Sequence, residues 1–165
     1  MLVISPTAQV SKLADIEDSV RGTRITIGDG VFIDAFVKLR VAGGSGDVTI
    51  GPNCYINAGS VLYSGNGITL GEYVLIAANC TLAPTNHEYR DPDVVIRKQG
   101  FAPSRGGIVV EDDVWIGANS VLLDGTHIGR GAIVAAGSVV RGELPAYSIS
   151  AGNPAKVVKW RKKPA

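Results

Sequence analysis

Eighteen aliphatic residues recur along this chain at a spacing that few folds can use. Ile4, Val10 and Ile16 are six apart, as are Ile27, Ile33 and Leu39, then Ile50, Ile56 and Leu62. Leu70, Ile76 and Leu82 follow, then Val110, Ile116 and Leu122, and last Ile128, Val134 and Val140. A period of six carries an apolar residue around a 3.6-residue helix instead of holding it on one face, so an α-helical solution is excluded. The fourth residue after each is mostly small or β-branched (Val31, Val37, Cys54, Ser60, Val74, Cys80, Val114, Ser120, Thr126, Ala132, Ser138), and the residue directly after is often glycine (Gly28, Gly51, Gly71, Gly117, Gly129). One hexad therefore supplies a short strand with one large and one small inward side chain, then a tight turn. Three such strands close a triangular coil of roughly eighteen residues, and stacked coils pair as parallel strands about 4.8 Å apart. The pattern predicts an all-β chain: a left-handed parallel β-helix of about six triangular coils, spanning residues 1–150.

Composition narrows the partners. The formal net charge is +1 with 19% charged residues, which gives no electrostatic footprint for nucleic acid. The apolar start Leu2–Ile4 is too short for a signal peptide, and no apolar run is long enough to span a bilayer. Only two cysteines are present, Cys54 and Cys80, both in small inward slots but on different sides of the triangle. They read as core residues with reduced thiols, and the expected location is cytoplasmic.

The repeat breaks once at length. Residues 88–109, EYRDPDVVIRKQGFAPSRGGIV, form an insertion with two prolines and two adjacent glycines. Loops of this length inside a compact fold are uncommon and often functional. It begins directly after His87, which places that histidine at a corner of the prism, at the mouth of the excursion. Imidazole titrates near neutrality, so a ring held through one nitrogen can take a proton with the other. On position alone, a surface imidazole and a general base are equally good readings of His87. Asn86, Glu88 and Asp91 are its neighbours in sequence, without spacing that selects one of them to orient the ring. The other histidine, His127, falls within a regular stretch and reads as an exposed corner residue.

The runs TNHEYRDPD, EDDVWIGANSVLLDGTHIGRGAIVAAGSVV and AGNPAKVV resemble the bacterial hexapeptide-repeat acetyltransferases, in particular the galactoside and maltose branch and the O-acetyltransferases of surface polysaccharides. The resemblance covers residues 27–161 and implies direct acetyl transfer from acetyl-CoA to a sugar or glycan hydroxyl, without a metal. It implies His87 as the catalytic base, Asn57 and neighbouring Tyr55 at the acceptor, and Trp115, Ala118 and Ala136 along the pantetheine arm. Lys156 and Lys159 match basic residues near the nucleotide end of CoA, and Arg141, on a corner of the sixth coil, is a third cation for that role. It further implies a homotrimer with active sites shared between subunits. Where the galactoside branch carries paired aspartates, this chain has Ser64 and Gly65 followed by Asn66, and its first coil (residues 4–21) replaces that branch's helical start. Both departures favour polysaccharide-type relatives.

After Glu143 the chain has no acidic residue. Asn153 and Pro154 suit the cap and first position of a helix, so residues 151–165 are expected to form a short helix and a basic tail, with Trp160 folding back onto the prism. Three alternatives compete with O-acetyl transfer. N-acetylation of an amino sugar, free or nucleotide-linked, would use the same scaffold and base. A β-helical carbonic anhydrase needs three histidines per zinc, and the chain has two. A non-catalytic scaffold leaves AGNPAK and the His87 insertion without a role.

Overall fold

In the computed structural model, residues 1–18 and 22–163 are described; the end of the first coil at 19–21 and the last two tail residues lie outside them. The chain winds into three parallel sheets stacked as a left-handed β-helix. The first sheet contains seven strands, from Leu2–Ile4 to Glu143–Leu144. The second begins at Gln9–Val10 and ends on Ser148–Gly152 with an added antiparallel strand, and the third runs from Asp15–Ile16 to Val139–Val140. Register is constant along the axis: Ile27 pairs with Ile50, Ile50 with Leu70, Leu70 with Val110 and Val110 with Ile128. Among the described residues, six coils contribute a strand to all three sheets and a seventh contributes to two.

Fifteen of the eighteen recurrent aliphatics are buried at 1% exposure or less. The three exceptions, Ile4, Val10 and Ile16, belong to the first coil, which has a neighbour on one side only. Each coil in a solenoid buries its core against the coils before and after it, so an end coil keeps half of that cover. The small inward residues are all buried, and several donate to nearby backbone carbonyls: Ser120 Oγ to Gly117 O at 2.6 Å, Ser138 Oγ to Ala135 O at 2.6 Å, and Cys80 Sγ to Gly117 O at 3.3 Å. This explains why serine and cysteine are tolerated in an apolar column. Both cysteines are free and buried, as expected of core residues, and burial pushes the Cys54 thiol up to about 11 and the Cys80 thiol in the same direction.

Two expectations about the chain's course are corrected. Residues 155–160 form a strand rather than a helix. The seventh coil leaves Ser148–Gly152 as an open edge; the chain reverses at Asn153–Pro154 and pairs antiparallel onto it, so that Ala155 enters the core and Trp160 sits opposite Ser148. An uncovered sheet edge offers a full row of backbone partners, and adjacent Val157 and Val158 favour extended backbone, which outweighs the capping signal of Asn153. His127 is not on a corner. It lies mid-strand in the first sheet, pointing outward, with Nε2 2.9 Å from Glu111 Oε1. The insertion also ends earlier than expected, since the first-sheet strand resumes at Ile108.

Candidate active site at the neck of the insertion

The insertion leaves the corner between the third and first sheets and is closed at its neck by a short ladder. Ala102 N donates to Asn86 O at 2.8 Å, Glu88 N donates to Gly100 O at 3.1 Å, and His87 bridges Phe101 in antiparallel register. Within the insertion only Ile96–Gln99 is helical, for a single turn. His87 is thereby set on paired backbone, although its side chain is exposed.

The imidazole is held on two sides. Its Nδ1 lies 3.2 Å from Gly100 O, and the Phe101 ring packs against it with centroids 5.0 Å apart. A carbonyl can only accept, so this contact places the proton of the neutral ring on Nδ1 and leaves Nε2 as a proton acceptor. The orienting group is therefore a backbone carbonyl thirteen residues away. Asn86 and Asp91 make no bond to the ring, and Glu88 is engaged elsewhere: its carboxylate takes the Arg90 guanidinium and the backbone N–H groups of Tyr89 and Arg90, which together hold its pKa down at about 2.

Two recesses meet at His87. The larger, about 660 Å³, lies against the insertion and is lined by Asn86, Glu88, Tyr89, Arg90, Pro103 and Arg105 among others. The smaller, about 310 Å³, lies against the coils and is lined by Ala42, Gly43, Tyr63, Ala83, Thr85 and Phe101. A ring between two recesses can face one reactant from each side. Arg105, Phe101 and the Gly100 carbonyl were not legible in the sequence, because each gains its place only when the insertion folds back.

The remaining candidate residues fall on other parts of the prism. Asn57, Ala118 and Ala136 occupy the corner between the second and third sheets. Ala118 and Ala136 belong to a stacked column with Ala35, Ala58 and Ala78, tied by bonds such as Asn119 N to Ala78 O and Gly137 N to Ala118 O. Packing is tight there: a Cβ on Gly117 would stand 2.5 Å from Ala136 N. Asn57 Nδ2 donates to Ile76 O at 2.7 Å. Tyr55 and Trp115 lie on the outer face of the second sheet, with Tyr55 stacked on Phe32 at 4.4 Å. Lys156 and Lys159 are exposed on the antiparallel strand that ends that sheet, whereas Arg141 lies on the His87 corner, two coils further along. Within one chain the alanine corner and His87 thus flank opposite edges of the third sheet. Among the described residues no cluster of histidine, cysteine or acidic side chains is arranged to hold a metal, and no helix is long and apolar enough to cross a membrane.

Comparison with known proteins matches the bacterial transferase hexapeptide (six repeats) family at residues 107–142 and the hexapeptide repeat of succinyl-transferase at residues 47–84. A probable acetyltransferase of Mycobacterium tuberculosis is 34% identical over 76% of this chain, and a 2,3,4,5-tetrahydropyridine-2,6-dicarboxylate N-acetyltransferase of Staphylococcus aureus is 54% identical over 34% of it. The chain spans only 41% and 24% of the lengths of these two relatives. Among solved structures, a variant of AntD, an N-acyltransferase from Bacillus cereus in complex with dTDP-4-amino-4,6-dideoxyglucose and coenzyme A, superposes with a TM-score of 0.80 at 28% identity, covering 98% of this chain and 84% of that one. A hexapeptide-repeat acetyltransferase of Vibrio cholerae complexed with acetyl-coenzyme A gives 0.71 at 29% identity, covering 86% and 72%. The galactoside and maltose branch suggested by the sequence motifs is not singled out by these similarities. With the six-residue repeat matched on both sides of the insertion and the same prism in the solved structures, the chain is a hexapeptide-repeat protein that resembles the acyltransferases built on that repeat.

Proposed function

We propose that this protein transfers an acetyl group from acetyl-CoA to the amine of a nucleotide-linked amino sugar, with His87 as the general base. The observation that carries this reading is the fixed imidazole, Nδ1 on Gly100 O and Nε2 directed at no described side chain, where two recesses meet. The amine nitrogen attacks the thioester carbonyl, a C–N bond replaces the C–S bond, and Nε2 takes the proton that the nitrogen loses and returns it to the departing thiolate. The motifs by themselves put a sugar hydroxyl first. The choice of amine rests on the relatives, since AntD is an N-acyltransferase bound to an amino-sugar nucleotide and the Staphylococcus protein is an N-acetyltransferase.

The separation of the alanine corner from His87 supports a shared site. CoA lying along Trp115, Ala118 and Ala136 of one copy, toward Lys156 and Lys159, would meet His87 of a neighbour in a homotrimer. Leu75 and Trp115 on the outer face of the second sheet, and Val61 and Val121 on either side of Thr81 on that of the third, suit such packing. The test is release of free CoA thiol from acetyl-CoA with a panel of amino sugars, nucleotide-linked amino sugars and plain sugars. We expect amine-dependent release that falls on the order of 10²–10⁴-fold in His87→Ala. Near-normal turnover in that variant would remove His87 as the base, and release with hydroxyl acceptors alone would return the reaction to O-acetylation.

A further inference from the structure

We infer that Arg105 binds an anionic group of the acceptor in the larger recess beside His87. This rests on the acetyltransferase reading for the word acceptor, but the anion site itself stands on the geometry of the recess. Of the charged side chains lining it, Glu88 and Arg90 neutralise each other through a forked pair. Arg105 makes no side-chain ion pair among the described residues, so its guanidinium is the cation of the recess without a salt-bridge partner, the nearby Asp124 carboxylate being taken up by backbone and amide donors. An arginine fork matches the two oxygens of a phosphate or a carboxylate and makes charge-assisted bonds to them.

The position of Arg105 is built rather than incidental. Asp124, 2% exposed, lies inside the corner and takes three donors: Arg105 N at 2.7 Å, Gly107 N at 3.2 Å and Asn66 Nδ2 at 3.2 Å. The returning limb of the insertion is thus tied by its own backbone to the corners of the third and fifth coils. The stem of Arg105 crosses directly over Gly125, where a Cβ would stand 2.7 Å from Arg105 Cβ. Gly125 also has φ +76°, a conformation that glycine adopts without cost. A buried carboxylate fixes the backbone and a glycine clears the path of the side chain, and Arg105, exposed to solvent, lines the recess. Asn66, which follows the Ser64–Gly65 departure from the galactoside pattern, is part of this clamp.

The shared chemistry is an anion in the recess that the base also lines, and it has two sources: the diphosphate of a nucleotide-linked acceptor or the carboxylate of an acidic one. Calorimetric titration of the full chain with dTDP, with glutarate and with neutral thymidine separates them. Binding is read rather than turnover, so the result does not depend on the acetylation assay and each can fail alone. We expect wild type to bind one of the two anions better than thymidine, Arg105→Gln to weaken that binding about tenfold, and Arg105→Lys, which keeps the charge but not the fork, to fall between the two. Four results would overturn the inference: neither anion binding better than thymidine, Arg105→Gln binding as well as wild type, Arg105→Lys losing as much as Arg105→Gln, or the loss following Lys156→Gln and Lys159→Gln instead.

Discussion

Replacing Asp124 by alanine should loosen the insertion and its recess while leaving the prism wound. The carboxylate accepts from three donors, of which the Gly107 N–H is fully buried and the other two are partly buried. A buried donor left without a partner costs about 1–3 kcal/mol, and each partly buried bond to the charged carboxylate adds about 1 kcal/mol, since those donors can recover water. Removing a buried charge returns part of its desolvation cost, so the net loss is about 2–4 kcal/mol. The insertion presents Arg90, Arg97 and Lys98 to trypsin, all of them exposed. Cleavage there follows the population of the opened segment when opening is fast, so about 2 kcal/mol makes it roughly 30-fold faster. Asp124→Asn keeps one accepting oxygen and should fall between wild type and alanine. Urea unfolding and timed tryptic digestion measure the two quantities together. A change below about 0.5 kcal/mol with unaltered cleavage would mean that the clamp is not what holds the limb.

Two further perturbations test the fold and the neck. Ile56→Ala, in the middle of the stack and fully buried, should cost about 2–5 kcal/mol in urea unfolding, against about 1 kcal/mol or less for Val10→Ala on the half-covered first coil; equal costs would refute the account of the open end. Glu88 has its pKa depressed to about 2 by Arg90 and two backbone N–H groups, so its contribution to neck stability is complete above the ordinary carboxylate value and disappears as pH falls from about 4.5 toward 2. Pepsin cleavage of the insertion should therefore rise across that window in wild type, and Arg90→Gln should move the rise to higher pH; a flat profile would refute the pairing.

The prism was legible because its rule is local. A large residue every six positions with a small one four places on specifies strand, turn and inward face within each hexad, and the stacking of identical hexads does the rest. His87 was legible for the same reason, standing where the rule is broken. Its orienting partner was not, because Gly100 and Phe101 reach it only after the insertion closes on itself.

The sequence by itself determined the all-β coil, the burial of Cys54 and Cys80, and the position of His87 at the mouth of the excursion, all consequences of spacing along the chain. Tertiary structure alone decided that residues 155–160 pair as a strand, since the uncovered edge at Ser148–Gly152 exists only once the seventh coil has formed. It alone decided that Asn57, Ala118 and Ala136 share one corner while His87 occupies another, because corner identity depends on how insertions and slips accumulate around the triangle. It also brought Asp124, Asn66 and Arg105 together across 58 residues of sequence. Contacts of that separation carry no local periodicity, so they emerge only when the stacked coils bring distant corners side by side.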